Sequence, residues 1–236
     1  MPALELRNVA GAHSAPCSLT VAPGEIVGLI SNDGAQPEQM LDLISGHSTM
    51  TSGTIFVQGN ALAGASARAR ADLGLVRGHA DPRLWGALTV EETLRLLLHR
   101  QRKSRRGRSE ADYLTATLSA FGLDAVRDAR MDTAPLGVRR IVELAALSCV
   151  EPSVMLLEQP TSGLPSADVE ALVPQLQRLA SSQKLAIIVV DSDRGVLGQL
   201  CHRIAWFDDG HLREVGNAAD VITHAHIAVQ KEESHE

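Results

Sequence analysis

The sequence predicts an α/β fold built on a mixed, mainly parallel sheet. Three observations carry that expectation. Apolar runs at residues 25–30, 154–160 and 185–191 read as strands buried on both faces. Helical apolar periodicity separates these runs, which argues for a sheet covered by helices. A buried strand "GEIVGLI", a glycine-containing turn "SNDGAQPEQ" and a helical "MLDLISG" follow one another, the frame of a phosphate-binding loop.

Taken in order, residues 4–9 and 17–21 largely alternate apolar and polar and predict half-buried, antiparallel N-terminal strands. Residues 25–30 predict a central strand and 37–44 a helix. The glycine-bounded "TSGTIFVQG" predicts a strand over 51–59, and "LGLV" another over 73–76. The period changes at Leu88. "LTVEETLRLLL" is helical, and Thr89 with Glu92 makes a capping box. A basic stretch follows, Arg100, Arg102, Lys103, Arg105, Arg106 and Arg108, and reads as a solvated loop. Helical patterns return at 110–121, 139–147 and 166–179. "RIAWFDDGHLREVG" predicts a hairpin turning at Asp209-Gly210.

The chain reads as one domain over 1–236. An α/β core spans 1–79 and 150–236, an inserted helical lobe spans 80–149, and a frayed tail is expected over 225–236. There is no internal repeat.

Composition narrows the function classes. The chain has 236 residues, 44% hydrophobic and 21% charged, with a formal net charge of −6. That balance argues against nucleic-acid binding by bulk charge. Cys17, Cys149 and Cys201 lack zinc-site spacing and read as reduced thiols. His224, His226 and His235 read as an exposed C-terminal segment, so no metal site is expected there. No apolar run is long enough to span a membrane, and "MPALELRNV" does not read as a signal peptide.

The landmarks "GEIVGLI", "LISG", "TSGTI", "PRLWGALTVEETL", "RRIVELA", "VMLLEQPTSGL" and "IIVVDSD" follow in order over about residues 4–222. In this the chain resembles the nucleotide-binding subunit of ATP-binding cassette (ABC) transporters. Within that family it looks most similar to ATPase subunits of branched-chain amino-acid importers. The resemblance implies a cassette of the P-loop NTPase kind and the cofactors ATP and Mg2+. It also implies a membrane permease and a second cassette subunit as partners, and a place at the inner face of the cell membrane.

The positions that serve nucleotide in the family are altered. Its loop reads G-x-x-G-x-G-K-[ST]-[ST]. Here Ser31 takes the first glycine, followed by Asn32 and Asp33; Gly34 is kept, and Gln36 takes the next glycine. Pro37 falls on the lysine, and Glu38 and Gln39 on the hydroxyl pair. Glu158 replaces the Asp that orders magnesium, and Gln159 the Glu that acts as general base. The signature L-S-G-G-Q aligns with Ala134, Pro135, Leu136, Gly137 and Val138. Pro165 takes the aspartate after "SGL", Ser192 takes the switch histidine, and no glutamine lies between Gly78 and Ala80. Arg83, Leu84 and Trp85 fall where the family docks its membrane partner.

Each change has a physical consequence. Pro37 brings neither an N–H nor a charge to a phosphate. Asp33 and Glu38 put carboxylates where phosphate oxygens would go, and a unit-charge pair at ~4 Å in an effective dielectric of ~20 is worth about 4 kcal/mol. Gln159 accepts no proton from water. Proline at the start of the helix and acid in its first turn suit the helix dipole, so the loop needs no phosphate to be stable. The expected function is a cassette-like transporter subunit impaired in ATP hydrolysis, with tight ATP-magnesium binding argued against. Two other readings stay open: an active ATPase with unusual site residues, and a soluble regulator or scaffold of the same fold.

Overall fold

The computed structural model describes residues 1–12, 14–32, 36–100 and 109–233, without the side chains of 36, 100 and 228–233. Two sheets form. The first is antiparallel, in the order β2-β1-β4-β5, from β1 (Leu4–Ala10), β2 (Cys17–Val21), β4 (Ser52–Val57) and β5 (Asn60–Ala61). The second runs β10-β9-β3-β8-β7-β6. Its strands are β3 (Ile26–Ser31), β6 (Leu75–Gly78), β7 (Val154–Glu158), β8 (Ala186–Val190), β9 (Arg203–Asp208) and β10 (His211–Asn217). All its pairings are parallel except β9 with β10.

The central strands are buried on both faces, as their continuous apolar runs require. Val27 and Leu29 of β3 face one cluster together with α1 (Gln36–Ser45) and the inward residues of the first sheet. Ile26 and Ile30 face the other, with α6 (Ser166–Gln183), α7 (Arg194–Leu200) and α8 (Ala218–Glu233). Gly28 lies between them. A Cβ there would come within 2.4 Å of Ile204 Cδ1, so the close packing of β9 demands glycine.

Between β6 and β7 lie α3 (Val90–Arg100), α4 (Glu110–Ala120), a 3-10 turn (Asp124–Val126) and α5 (Leu136–Ser148). They share a cluster of their own around Leu94, Leu98, Leu118 and Val142. The capping box at α3 is formed. Glu92 N donates to Thr89 Oγ1 at 3.2 Å, and Thr89 N to Glu92 Oε2 at 2.9 Å. The hairpin turn also forms, with Asp209 and Gly210 at φ 44° and 74°, the left-handed pair of a two-residue hairpin loop.

Several boundaries differ from expectation. Strand β6 begins at Leu75, because Leu73 caps a helix and Gly74 turns out of it at φ 88°. That helix, α2 (Ala67–Asp72), was not legible: "ARARAD" has no apolar stripe. Its Arg70 is buried and donates to Leu43 O and Ile44 O, carbonyls in the last turn of α1. Helix α1 begins at Gln36, so Pro37 is its second residue, still in the first turn, where no intrahelical N–H bond is lost. Helix α8 continues to Glu233 with Ala225 buried, so residues 225–233 are helical where a frayed tail was expected. Of the basic stretch, residues 102–108 lie outside the described residues, as do Asp33, Gly34 and His235.

Candidate functional site

Parallel strands β3, β8, β7 and β6 all end on one edge, and the segments that follow them meet there. Such an edge is where open α/β sheets place ligands. Residues 31–32, 36–39, 158–161, 191–193 and 78–80 come together in this way, so the topology assembles many of the positions that the sequence singled out.

Ser31 ends β3. Arg194 Nη2 donates to Ser31 O at 3.3 Å and to Asn32 Oδ1 at 2.6 Å. Asn32 Nδ2 in turn donates to Ala225 O of α8 at 3.3 Å. The start of the loop is thus tied to the C-terminal helix by the chain's own groups. In α1, Pro37 is buried, Glu38 half-buried and Gln39 exposed.

The carboxylate of Glu158 is taken. Arg77 reaches from β6 and donates from Nη2 to Glu158 Oε2 at 2.7 Å. Its Nη1 donates to Asp42 Oδ1 at 2.5 Å and to Ser45 Oγ at 3.0 Å, both on α1. The Arg77 side chain is only 8% exposed. His79 Nδ1 lies 3.7 Å from Glu158 Oε2. Burial, reinforced by the Arg83 and Arg77 cations, holds that imidazole below its ordinary range, so it is neutral at pH 7.

Gln159 sits at φ 47°, a left-handed conformation uncommon for a side-chain-bearing residue. Its N–H donates to Val190 O at 2.6 Å, and its Nε2 donates to Glu38 Oε1 at 3.4 Å. Gln159 therefore spends its side-chain amide on the acid in the loop helix. Ser192 is exposed. Beside it, Asp191 Oδ2 accepts from Thr161 N at 3.0 Å and from Thr161 Oγ1 at 2.7 Å, joining the ends of β7 and β8. Sequence reasoning missed Arg77, Arg194 and Asp191. An arginine inside a four-residue strand was the available signal for the first.

The signature-equivalent residues lie apart, at the head of α5. Ala134 is buried, Pro135 is the cap and gives no side-chain bond, and Leu136, Gly137 and Val138 form the first turn. Sequence periodicity started that helix only at Arg139. A Cβ on Gly137 would stand 2.4 Å from Asp168 Oδ2, so the carboxylate of α6 is pressed against this helix start.

A buried clamp joins α5 to the segment after β6. Arg140 is 2% exposed; it donates to His79 O and Ala80 O at 2.8 Å each and pairs with Glu143 at 3.3 Å. Burial pushes the Glu143 carboxyl up, with Arg140 opposing. Farther along, Arg83 is exposed, Leu84 packs against the lobe cluster, and Trp85 is 54% exposed.

A magnesium-bound triphosphate needs an oxygen set free to face the metal, and N–H donors with a cation for the phosphates. Here Glu158 Oε2 is paired with Arg77, Glu38 and Gln39 bring a carboxylate and an amide but no hydroxyl, and Pro37 has no N–H. These residues do not fit that group. Among the described residues, no cluster of three or more His, Cys, Asp or Glu could hold a metal, and no helix is long and apolar enough to cross a membrane. All three cysteines are buried free thiols, pushed up by burial to about 11 for Cys17 and about 12 for Cys149 and Cys201.

Comparison with known proteins agrees with the architecture. The chain is 28% identical over 244 residues to the methionine import ATP-binding protein MetN 1 of Burkholderia orbicola (strain AU 1054), covering 97% of this chain and 69% of that protein. It is 26% identical to MetN of Haemophilus influenzae (strain ATCC 51907 / DSM 11121 / KW20 / Rd), covering 91% of this chain and 62% of that protein. These relatives are named for methionine import, whereas the sequence resemblance pointed to branched-chain amino-acid importers. In fold the chain resembles cbiO1 of Clostridium perfringens at a TM-score of 0.81, with 16% identity over 97% of this chain and 94% of that one. A nucleotide-free ATP-binding cassette superposes equally well at 0.81, with 15% identity and 95% of each chain covered. The family model described as ABC transporter matches residues 15–162, more than half the sequence, and the chain belongs to that family.

Proposed function

We propose that this chain is a cassette subunit of an amino-acid importer that has kept its place in the complex and lost ATP hydrolysis. The observation that carries this reading is the fate of Glu158. Its Oε2 is held by Arg77 at 2.7 Å, so a metal binding there would have to displace a guanidinium. The neighbouring substitutions act in the same direction. Gln159 accepts no proton from water, Pro37 offers no N–H, and Glu38 repels a phosphate.

The amino-acid solute is inferred from the methionine-import relatives. As a cassette subunit the chain sits against the inner face of the membrane. It pairs with a permease and with a second, hydrolysis-competent cassette subunit, because two copies of this chain would together have no complete site. We place the permease contact at Trp85, which is 54% exposed and so available to a partner, and an aromatic anchor can carry ~2 kcal/mol or more of an interface.

The test has two readouts. Tagged chain expressed with its own membrane fraction should capture a permease and a second cassette protein, and the isolated chain should show no ATP turnover above buffer. Turnover by the isolated chain would favour an active ATPase; inertness with no membrane partner would favour a scaffold.

A further inference from the structure

We infer that Arg77 is a resident cation that stands in for the divalent metal, so that this site closes without one. The inference rests on the proposed loss of ATP chemistry but concerns what replaced it. Arg77 lies in β6, next to Leu156 of β7. Its side chain crosses the end of β7 and reaches α1, so one guanidinium joins three elements: Glu158 of β7, and Asp42 and Ser45 of α1.

The arrangement has the properties asked of a bound metal. It is a fixed positive charge that cannot be deprotonated. The Arg77 side chain is 8% exposed and that of Glu158 21%, so this pair is screened less than a surface pair, while Asp42, 38% exposed, closes the cluster on the solvent side. Two carboxylates converge on it from different elements, and a planar fork suits two carboxylates better than a point charge would. Ser45 Oγ, besides receiving Arg77, donates to Leu41 O at 2.7 Å and lies 2.8 Å from His47 Nδ1. The hydroxyl is thus part of the same network and not free for an ion.

Charge explains why a metal is then unwelcome. With Arg77 in place, a divalent cation approaching Glu158 meets a guanidinium at contact distance. With Arg77 removed, Asp42 and Glu158 face each other with no cation between them, and a divalent ion becomes the natural replacement.

The experiment compares the full chain with Arg77→Met and Arg77→Lys in thermal melts, with EDTA or with millimolar Mg2+. The parent should melt at the same temperature in both. Arg77→Met should fall by about 5 °C or more in EDTA, since losing one member of a shielded charge cluster is costly, and Mg2+ should restore part of the loss. Arg77→Lys should fall less and ignore Mg2+. Weak ATP binding by the parent, read by calorimetry, should differ by less than about threefold between Mg2+ and EDTA, under 1 kcal/mol.

The inference is overturned if Arg77→Met melts like the parent in EDTA, or is destabilised and gains nothing from Mg2+. A parent whose ATP affinity rises tenfold with Mg2+ overturns it too. Should Arg77→Met not fold, the parent titration and Arg77→Lys decide. A chain that hydrolyses ATP, with melts as expected here, refutes the proposed function and spares the resident cation. A chain inert to ATP whose parent melt rises with Mg2+ does the reverse.

Discussion

Replacing Arg140 with Met should cost more stability than any other single change at the site. The side chain is 2% exposed and makes three contacts: carbonyls of His79 and Ala80 at 2.8 Å, and Glu143 at 3.3 Å. Met preserves most of the volume and removes the charge. Two charge-assisted bonds to the half-buried carbonyls of His79 and Ala80 disappear, and Glu143 is left without its cation. Removing one member of a buried pair costs ~3–5 kcal/mol, and ~2–4 °C per kcal/mol gives a fall in Tm of about 10 °C. The pH dependence follows from Glu143, whose pKa is already raised by burial. Its folded form binds the proton more tightly than the unfolded chain does. Stability from this group is therefore full below the unfolded carboxylate value and is lost as pH rises through the folded one. Without Arg140 the shift grows, so the defect should be largest near neutral pH and shrink toward pH 4. The double variant Arg140→Met/Glu143→Leu should recover the part of the loss that comes from the unpaired Glu143 charge, while the bonds to His79 O and Ala80 O stay lost. Urea and thermal denaturation across pH measure this. A single variant within a degree of the parent, or a double variant as unstable as the sum of its parts, refutes the clamp.

Other outcomes follow from the same geometry. Trp85→Ala should leave Tm within ~2 °C, as exposed substitutions usually do, while weakening capture of a membrane partner; a large fall in Tm would make Trp85 a core residue. Gln159→Glu alone should restore no ATP turnover, because single repairs of a group that acts as a unit are non-additive. It should also lower stability at neutral pH, because the new carboxylate faces Glu38 across what was a 3.4 Å hydrogen bond. The three buried cysteines, with thiols pushed up to about 11 and about 12, should resist iodoacetamide at neutral pH until denaturant is added. Rapid labelling of the native chain would mean that those elements open readily.

The elements written in apolar period were legible. The central strands announced themselves as unbroken runs, the hairpin by Asp209-Gly210, and α3 by Thr89 and Glu92. Helix α2 was not, because its interior contact is the single arginine Arg70 and its remaining residues give no stripe. Helix α7 is seven residues long, and its signal is the cap: Asp193 Oδ1 accepts from Val196 N at 3.0 Å. At the site, the resemblance implies that Pro37, Glu158, Gln159 and Ser192 each stand where the family uses another residue. The partners at the site could not be read in the sequence. Arg77 is separated from Glu158 by 81 residues, and Arg194 from Asn32 by 162. Only the sheet order, with β6 beside β7 and β8 beside β3, brings these partners into reach.

Titration calorimetry of ATP-Mg2+ into the isolated chain tests the central claim most directly. Binding no tighter than the millimolar range is expected, because the attraction lost with Pro37 at the lysine position and the repulsion gained from Glu38 are worth about 4 kcal/mol each, a difference of more than a thousandfold in affinity. A dissociation constant in the micromolar range would contradict it, and would show that the loop of residues 31–39 still holds a nucleotide.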